Sequence, residues 1–207
     1  MIYMPTHFSV ADRATQLDVM RAFPFATIVS IADGVPVFTH APLVAEERGN
    51  ALVLLGHVAI ANPHWRSWQA SPSLTAIFHG PNGYISPRWY TVREAVPTWN
   101  YIAVHAQGRV RTIEDSAGKE RILKALIDVH DAAYRAQWDD LGEEFREKMK
   151  RGIVGFEIAV ERFDGKFKLS QNRVPQDRAN VLGAMDAGGA GELVLAEWMR
   201  RLGIGVA

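Results

Sequence analysis

Gly56-His57-Val58-Ala59-Ile60-Ala61-Asn62-Pro63-His64-Trp65 is the first stretch whose residue types could do chemistry. Asn is a preferred N-cap, and Pro is favoured at the first helical position, so a helix should open at Asn62-Pro63 and run to about Ala70. Free N–H groups at a helix start attract anions such as phosphate, and His57 could add a hydrogen bond. The same residues fit a plainer reading, with Asn62 as a cap and His57 as a satisfied, half-buried histidine. A second stretch, Phe38-Thr39-His40-Ala41-Pro42, offers Thr39 and His40 as donors on a strand, or an ordinary strand with one polar face.

The third stretch runs from Gly80-Pro81 through Tyr84 and Trp89-Tyr90 to Trp99-Asn100-Tyr101. It reads as a long connection, and connections beyond roughly 12–15 residues are usually functional or disordered. Its aromatic rings suit stacking on a planar ligand, or sealing a subunit interface. The fourth is Gly165-Lys166-Phe167-Lys168-Leu169-Ser170-Gln171-Asn172-Arg173. On a strand, Lys166, Lys168 and Ser170 share a face. They could meet a phosphate or a polar ring edge, or simply form a charged edge that discourages aggregation.

Other chemistries find little support. The seven histidines include no His-Glu-x-x-His pattern, and no Gly-x-Ser-x-Gly elbow is present. The chain has no Cys, which removes disulfides, thiolate metal sites and a thiol nucleophile. No metal ligands and no catalytic residues are assigned. Positive and negative side chains balance at 23 each, so nothing in the overall charge favours a duplex. No apolar run approaches the roughly 20 residues that span a bilayer. The start, Met1-Ile2-Tyr3-Met4-Pro5, lacks the basic and apolar regions of a secretory signal. The expectation is a cytoplasmic protein with no membrane segment.

These stretches must be held by short strands and flanking helices. Residues 10–23 predict a helix opened by Ser9 with Asp12. Strands are predicted over 25–31, 35–44, 51–56, 74–78, 101–113, 153–163 and 166–170. Asp33-Gly34 and Asp164-Gly165 should be tight hairpin turns. Helices are predicted over 115–138 and 143–151, then beyond Pro175, with a break at the Gly188–Gly191 cluster before a last helix over 192–202. Helices do not alternate with strands one for one, which argues for a small antiparallel barrel rather than a doubly wound sheet. The class is mainly β with flanking helices (α+β), with one domain over 1–175 and a helical extension over 176–207.

In order along the chain, Tyr3-x-Pro5-x-His7-Phe8, Thr39-His40-x-Pro42, Gly56-His57-x-Ala59-x-Ala61-Asn62-Pro63, Tyr84-Ile85-Ser86-Pro87-x-Trp89-Tyr90, Val96-Pro97-Thr98-Trp99-Asn100-Tyr101, Ile153-Val154-Gly155-Phe156-Glu157 and Gly165-Lys166-x-Lys168-Leu169-Ser170-Gln171-Asn172-Arg173 resemble the PaiB-like family of FMN-binding negative transcriptional regulators. The resemblance implies a split β-barrel homodimer with FMN at the subunit interface. It places the phosphate near His57, Ala61 and Asn62 and the ring over Thr39 and His40. Tyr84, Trp99, Asn100, Lys168 and Gln171 complete the cofactor site, the Trp99-Asn100 or Lys168–Gln171 region coming from the partner subunit. Ile60 stands where relatives carry a basic residue, which implies weakened FMN binding or none. DNA is a partner by resemblance only. The alternative is an FMN-dependent oxidoreductase of the pyridoxamine-phosphate oxidase or flavin reductase type. A third reading is a dimer that has lost its cofactor.

Overall fold

Asp33 and Gly34 both take positive φ, 51° and 77°, as a type I′ hairpin turn demands. The turn joins β2 (Phe25–Ala32) to β3 (Val35–Pro42), with Ile28 opposite Thr39 and Ser30 opposite Val37. In this computed structural model residues 3–206 are described; Met1 and Ile2 of the N-terminal segment, and Ala207, lie outside them. The remaining strands are β1 (Ser9–Val10), β4 (Val44–Arg48), β5 (Ala51–Ala59), β6 (Ser73–Ile85), β7 (Thr98–Ile113) and β8 (Ile153–Lys168). They form one eight-stranded sheet in the order β3-β2-β6-β7-β8-β5-β4, with β1 antiparallel to β8. The helices are α1 (Arg13–Ala22), α2 (His64–Ser67), α3 (Ser116–His130), α4 (Tyr134–Asp140), α5 (Glu143–Arg151), α6 (Pro175–Asp186) and α7 (Ala190–Arg201). The mainly β architecture with flanking helices is as expected. Among the described residues no helix is long and apolar enough to cross a membrane.

The chain divides into two compact units. The first holds residues 1–19, 79–104 and 164–207, and the second holds 20–78 and 105–163. In the second unit the core gathers Ile28, Leu54, Leu55, Phe78 and Phe156, with Trp68 edge-on to Phe156 at 5.0 Å. Gly56 makes room for that ring, since a Cβ there would lie 2.7 Å from Phe156. In the first unit Phe167 packs edge-on against Trp198, among Val181, Met185, Leu195 and Met199.

Several elements depart from expectation. Asp164-Gly165 does not turn; both lie within the continuous strand β8. Gly165 has no positive φ and pairs with Val10. It is required instead by a close approach, because a Cβ there would meet Gln16 Cγ at 2.9 Å. Residues 80–85 are strand rather than loop. The ladder to β2 ends at Phe78, so Pro81 lies beyond it and costs no bond to β2. β7 correspondingly begins at Thr98. α1 starts later than expected: Asp12, not Ser9, caps it by accepting the Thr15 N–H at 2.8 Å, while Ser9 pairs with Lys166 on β8. The predicted strand 35–44 breaks at Leu43, whose N–H bonds the Pro24 carbonyl at 2.9 Å. The predicted helix 115–138 breaks at Asp131, where no Gly or Pro marks the stop; Arg135 reaches back to Asp128 across the break.

Glu157 on β8 ties the second unit together electrostatically. Arg48 donates to it at 2.8 Å and Arg111 at 2.7 Å, and Arg121 donates as well. Burial pushes the carboxyl up, but the three guanidinium bonds overcome this and bring it from 4.5 down to about 2. A depressed acid contributes stability above its unfolded value and loses it as pH falls toward the folded value. At about 1.4 kcal/mol per pH unit the contribution is on the order of 3 kcal/mol. Glu157→Gln should therefore remove roughly that much stability at neutral pH. It should also flatten the stability curve between pH 4.5 and 2, read by urea unfolding at stepped pH. An unchanged acid limb would show that the carboxylate is not linked to folding.

Candidate functional site

Alternation on β3 sends Thr39 inward while Phe38 and His40 face out. The Thr39 hydroxyl lies 2.8 Å from His64 Nδ1, and His64 Nε2 lies 2.7 Å from the Ser30 hydroxyl on β2. All three side chains are buried, and burial pushes the His64 imidazole below its ordinary value, which keeps it neutral. Asn62 joins them. Its Oδ1 accepts the His64 backbone N–H at 3.0 Å, and its Nδ2 donates to Thr39 at 3.1 Å. Asn62 thus accepts from the start of the turn, but Pro63 rather than Asn62 stands at the N-cap, and α2 stops after four residues instead of running to Ala70. So short a helix carries little dipole, and anion binding there must rest on other donors.

Around that turn, Ala61 and Ile60 are exposed, and the Ile60 carbonyl accepts from Trp65 Nε1 at 3.1 Å. Arg66 lies over the Trp65 ring at 5.0 Å and has no carboxylate partner among the described residues. His57 is half-buried on β5, and burial pushes it below its ordinary value. Its Nδ1 is buried with no hydrogen-bond partner. His40 is exposed, stacked on Phe25 and 3.1 Å from the Thr27 hydroxyl. The structure therefore joins Thr39 and Asn62 directly and ties both to His64, which Ser30 holds from its other side; sequence reasoning passed over this histidine and serine. His64 stands next to the marked Asn62-Pro63 pair, whereas Ser30 sits in an apolar strand and carries no local signal.

The first unit assembles the other candidates. Tyr84 and Trp99 meet edge to face at 6.2 Å, each about half exposed. Asn100 is fully buried, with its amide on the Ser170 hydroxyl at 3.0 Å. Ser170 holds a φ of 68°, a costly conformation for a residue with a Cβ. Gln171 turns back on its own strand, accepting the Leu169 N–H and donating to the Phe167 carbonyl. Lys168 donates to Thr98, and Lys166 is buried against the Tyr3 carbonyl at 2.8 Å and the ring of Tyr101 at 5.7 Å. Arg173 stacks on Tyr90 at 4.1 Å. No carboxylate pairs with Lys166, Lys168 or Arg173 among the described residues. Burial, then the like charges of Lys166 and Arg173, push the Lys168 ammonium below its ordinary value. A cavity of about 360 Å³ opens between Trp99, Tyr101, Ala103 and His79.

Residues 2–162 match the family described as "Putative FMN-binding domain". The chain belongs to this FMN-binding family. It is 36% identical over 184 residues to the protease synthase and sporulation protein PAI 2 of Bacillus subtilis, covering 87% of each chain. It is also 27% identical over 184 residues to an uncharacterized protein of Emericella nidulans, covering 73% of each. Among solved structures, the FAD and heme binding protein of Mycobacterium smegmatis superposes with a TM-score of 0.63 at 18% identity, over 88% of this chain and 80% of that one. The flavocytochrome Anf3 of Azotobacter vinelandii gives 0.62 at 18% identity, over 77% and 69%. At that identity the likeness is one of fold, and the fold is the split β-barrel anticipated above.

The side chains present suit an anionic, planar ligand. Among the described residues the first unit holds cations without carboxylates beside half-exposed aromatic rings, and the second, by itself, holds a histidine nitrogen without a hydrogen-bond partner and an arginine without a carboxylate. Cations gathered without acids should be relieved by an added anion. Inorganic phosphate should therefore raise Tm more than chloride at equal ionic strength, and Lys168→Met should remove most of that difference. The same phosphate increment in the variant and the parent would show that phosphate acts only through general exclusion from the surface.

Proposed function

We propose that this chain binds FMN as a homodimer and serves as a flavin-dependent regulator. The phosphate sits at the His57–Asn62 turn, and the ring lies over the β3 strand at Thr39 and His40. Tyr84, Trp99, Asn100, Lys168 and Gln171 are supplied by the partner subunit. The observation that carries the reading is the set of cations without carboxylates, in a chain of the FMN-binding family. Lys168 and Arg66 provide charge, the turn N–H groups and His57 provide donors, and Trp99 and Tyr84 provide flat apolar surface. Asn100 and Gln171 act by holding the strand end that carries Lys168 and Ser170. When bound, FMN would supply reversible two-electron chemistry. A net charge of zero supports a regulator that acts through the flavin-bound dimer more than through direct duplex contact.

Ile60 bears no charge, and Arg66 takes over the basic role near the turn. A charge-assisted hydrogen bond contributes about 1.5–3 kcal/mol, a tenfold to hundredfold change in affinity. In a flavin fluorescence titration Arg66→Ala and His57→Ala should each weaken FMN, the first by that factor. Ile60→Arg should tighten it, and riboflavin should bind more weakly than FMN. Equal affinity for riboflavin and FMN, unmoved by any of the three substitutions, would remove the phosphate from this turn.

The dimer has support in the exposed face of the β2–β3 hairpin, where Phe25, Ile31 and Phe38 are 64%, 49% and 60% exposed. Opposed positions put Phe25, Val29 and Ile31 on one face with Phe38 and His40. Such an apolar patch is ordinarily covered in solution. Light scattering at micromolar concentration should give about twice the 23.0 kDa chain mass, and Phe38→Asp should halve it. A monomeric parent protein would overturn the dimer.

A further inference from the structure

The geometry around His64 goes beyond FMN binding and rests on that reading. The Asn62 amide is oriented from outside. The His64 backbone N–H can only donate, so Oδ1 must face it, and Nδ2 must donate to Thr39. The Thr39 oxygen then keeps one proton and one lone pair. These serve two directions: toward His64 Nδ1 at 2.8 Å, and toward a direction with no partner among the described residues. A neutral imidazole carries one ring proton. With that proton on Nδ1, the ring donates to Thr39, Ser30 donates to Nε2, and the Thr39 proton points away to an outside acceptor. With it on Nε2, the ring donates to Ser30, Thr39 donates to Nδ1, and Thr39 presents a lone pair to an outside donor.

We propose that Ser30 and His64 form a polarity relay that lets the Thr39 hydroxyl donate to one redox state of a bound heterocycle and accept from the other. The fitting ligand atom is an unprotonated ring nitrogen that gains a proton on two-electron reduction, as flavins provide. The proton balance closes. Thr39 releases its proton to the ligand atom and takes the one from Nδ1; Nε2 takes the Ser30 proton; Ser30 takes one from water. Ser30 is 3% exposed and lines, with Ser71, Ser73 and Gln107, a cavity of about 450 Å³ from which the relay would draw that water. One transfer leaves the ligand atom a donor and Thr39 the matching acceptor, so neither redox state meets an unpaired hydroxyl. His64 is here a positioning residue and touches no ligand.

The test is the His64 tautomer, read by nitrogen NMR of histidine-labelled protein, with the signal assigned by its loss in His64→Gln. Oxidised FMN should hold the ring proton on Nδ1, and FMN reduced anaerobically with dithionite should hold it on Nε2. One tautomer in both states overturns the relay and leaves FMN binding standing. An absence of FMN binding in the parent protein, seen by titration, overturns the flavin reading and the relay with it. Ser30→Ala supplies an independent readout. It leaves Nε2 with neither donor nor acceptor, and because a buried orphaned N–H is tolerated less than an orphaned lone pair, the ring proton settles on Nδ1 and Thr39 stays a donor. Reduced FMN should then weaken about tenfold relative to oxidised FMN, lowering the midpoint potential by about 30 mV. An unchanged potential in well-folded Ser30→Ala would count against the relay, and should that variant misfold, the parent tautomer decides.

Discussion

A buried imidazole needs a partner at each ring nitrogen, and that need organises the second unit. His64 is 2% exposed, and its partners come from positions 34 and 25 residues earlier in the chain. Ser30 and Thr39 can serve together only if β2 and β3 are in one register. With Ile28 opposite Thr39 and Ser30 opposite Val37, the two hydroxyls are diagonal neighbours on the inward face. A slip of one residue would bring Phe38 or His40 inward and leave Nδ1 without Thr39, while Ser30, held by the pairing of β2 with β6, still met Nε2. The tight turn at Asp33-Gly34 excludes that slip, because a two-residue hairpin leaves no slack. A local turn signal and a distant buried histidine therefore enforce the same pairing.

The two Asp-Gly pairs show how much of this was legible. At Asp33-Gly34 the dipeptide takes left-handed φ and turns the chain, as its chemistry predicts. At Asp164-Gly165 the same pair lies inside a strand, because pairing with β1 and the closeness of Gln16 decide the conformation. Nothing local separates the two cases, since the second depends on residues about 150 positions away. The aromatic stretch misled for a related reason. Gly80, Pro81 and Gly83 read as loop residues, and only the end of β2 explains why a proline is tolerated there. Helix 143–151 has the bounds predicted for it. Among the site candidates, the types of Thr39, Asn62 and Lys168 showed in the sequence. Ser30 did not, because a small polar residue in an apolar strand resembles packing until its partner is placed.

Charge is distributed in the same hidden way. The balance of acids and bases in the sequence says nothing about where each is satisfied. Around Glu157, three arginines share one buried carboxylate, with Glu46 beside Arg48, so that cluster answers its own charge. Around Lys168 there is no such answer among the described residues: these compensate the cations by hydroxyl, carbonyl and ring faces. Ring faces stabilise a desolvated cation by about 2 kcal/mol, less than a full counter-ion would. The deficit also limits what can relieve it. A duplex is held by cations that reach outward to its phosphates, but Lys166 is 9% exposed and Lys168 is partly buried. An anion that satisfies them must enter among the side chains and be small enough to do so. That steric condition, more than the neutral overall charge, favours a phosphorylated small molecule over a nucleic-acid backbone as the partner of this site.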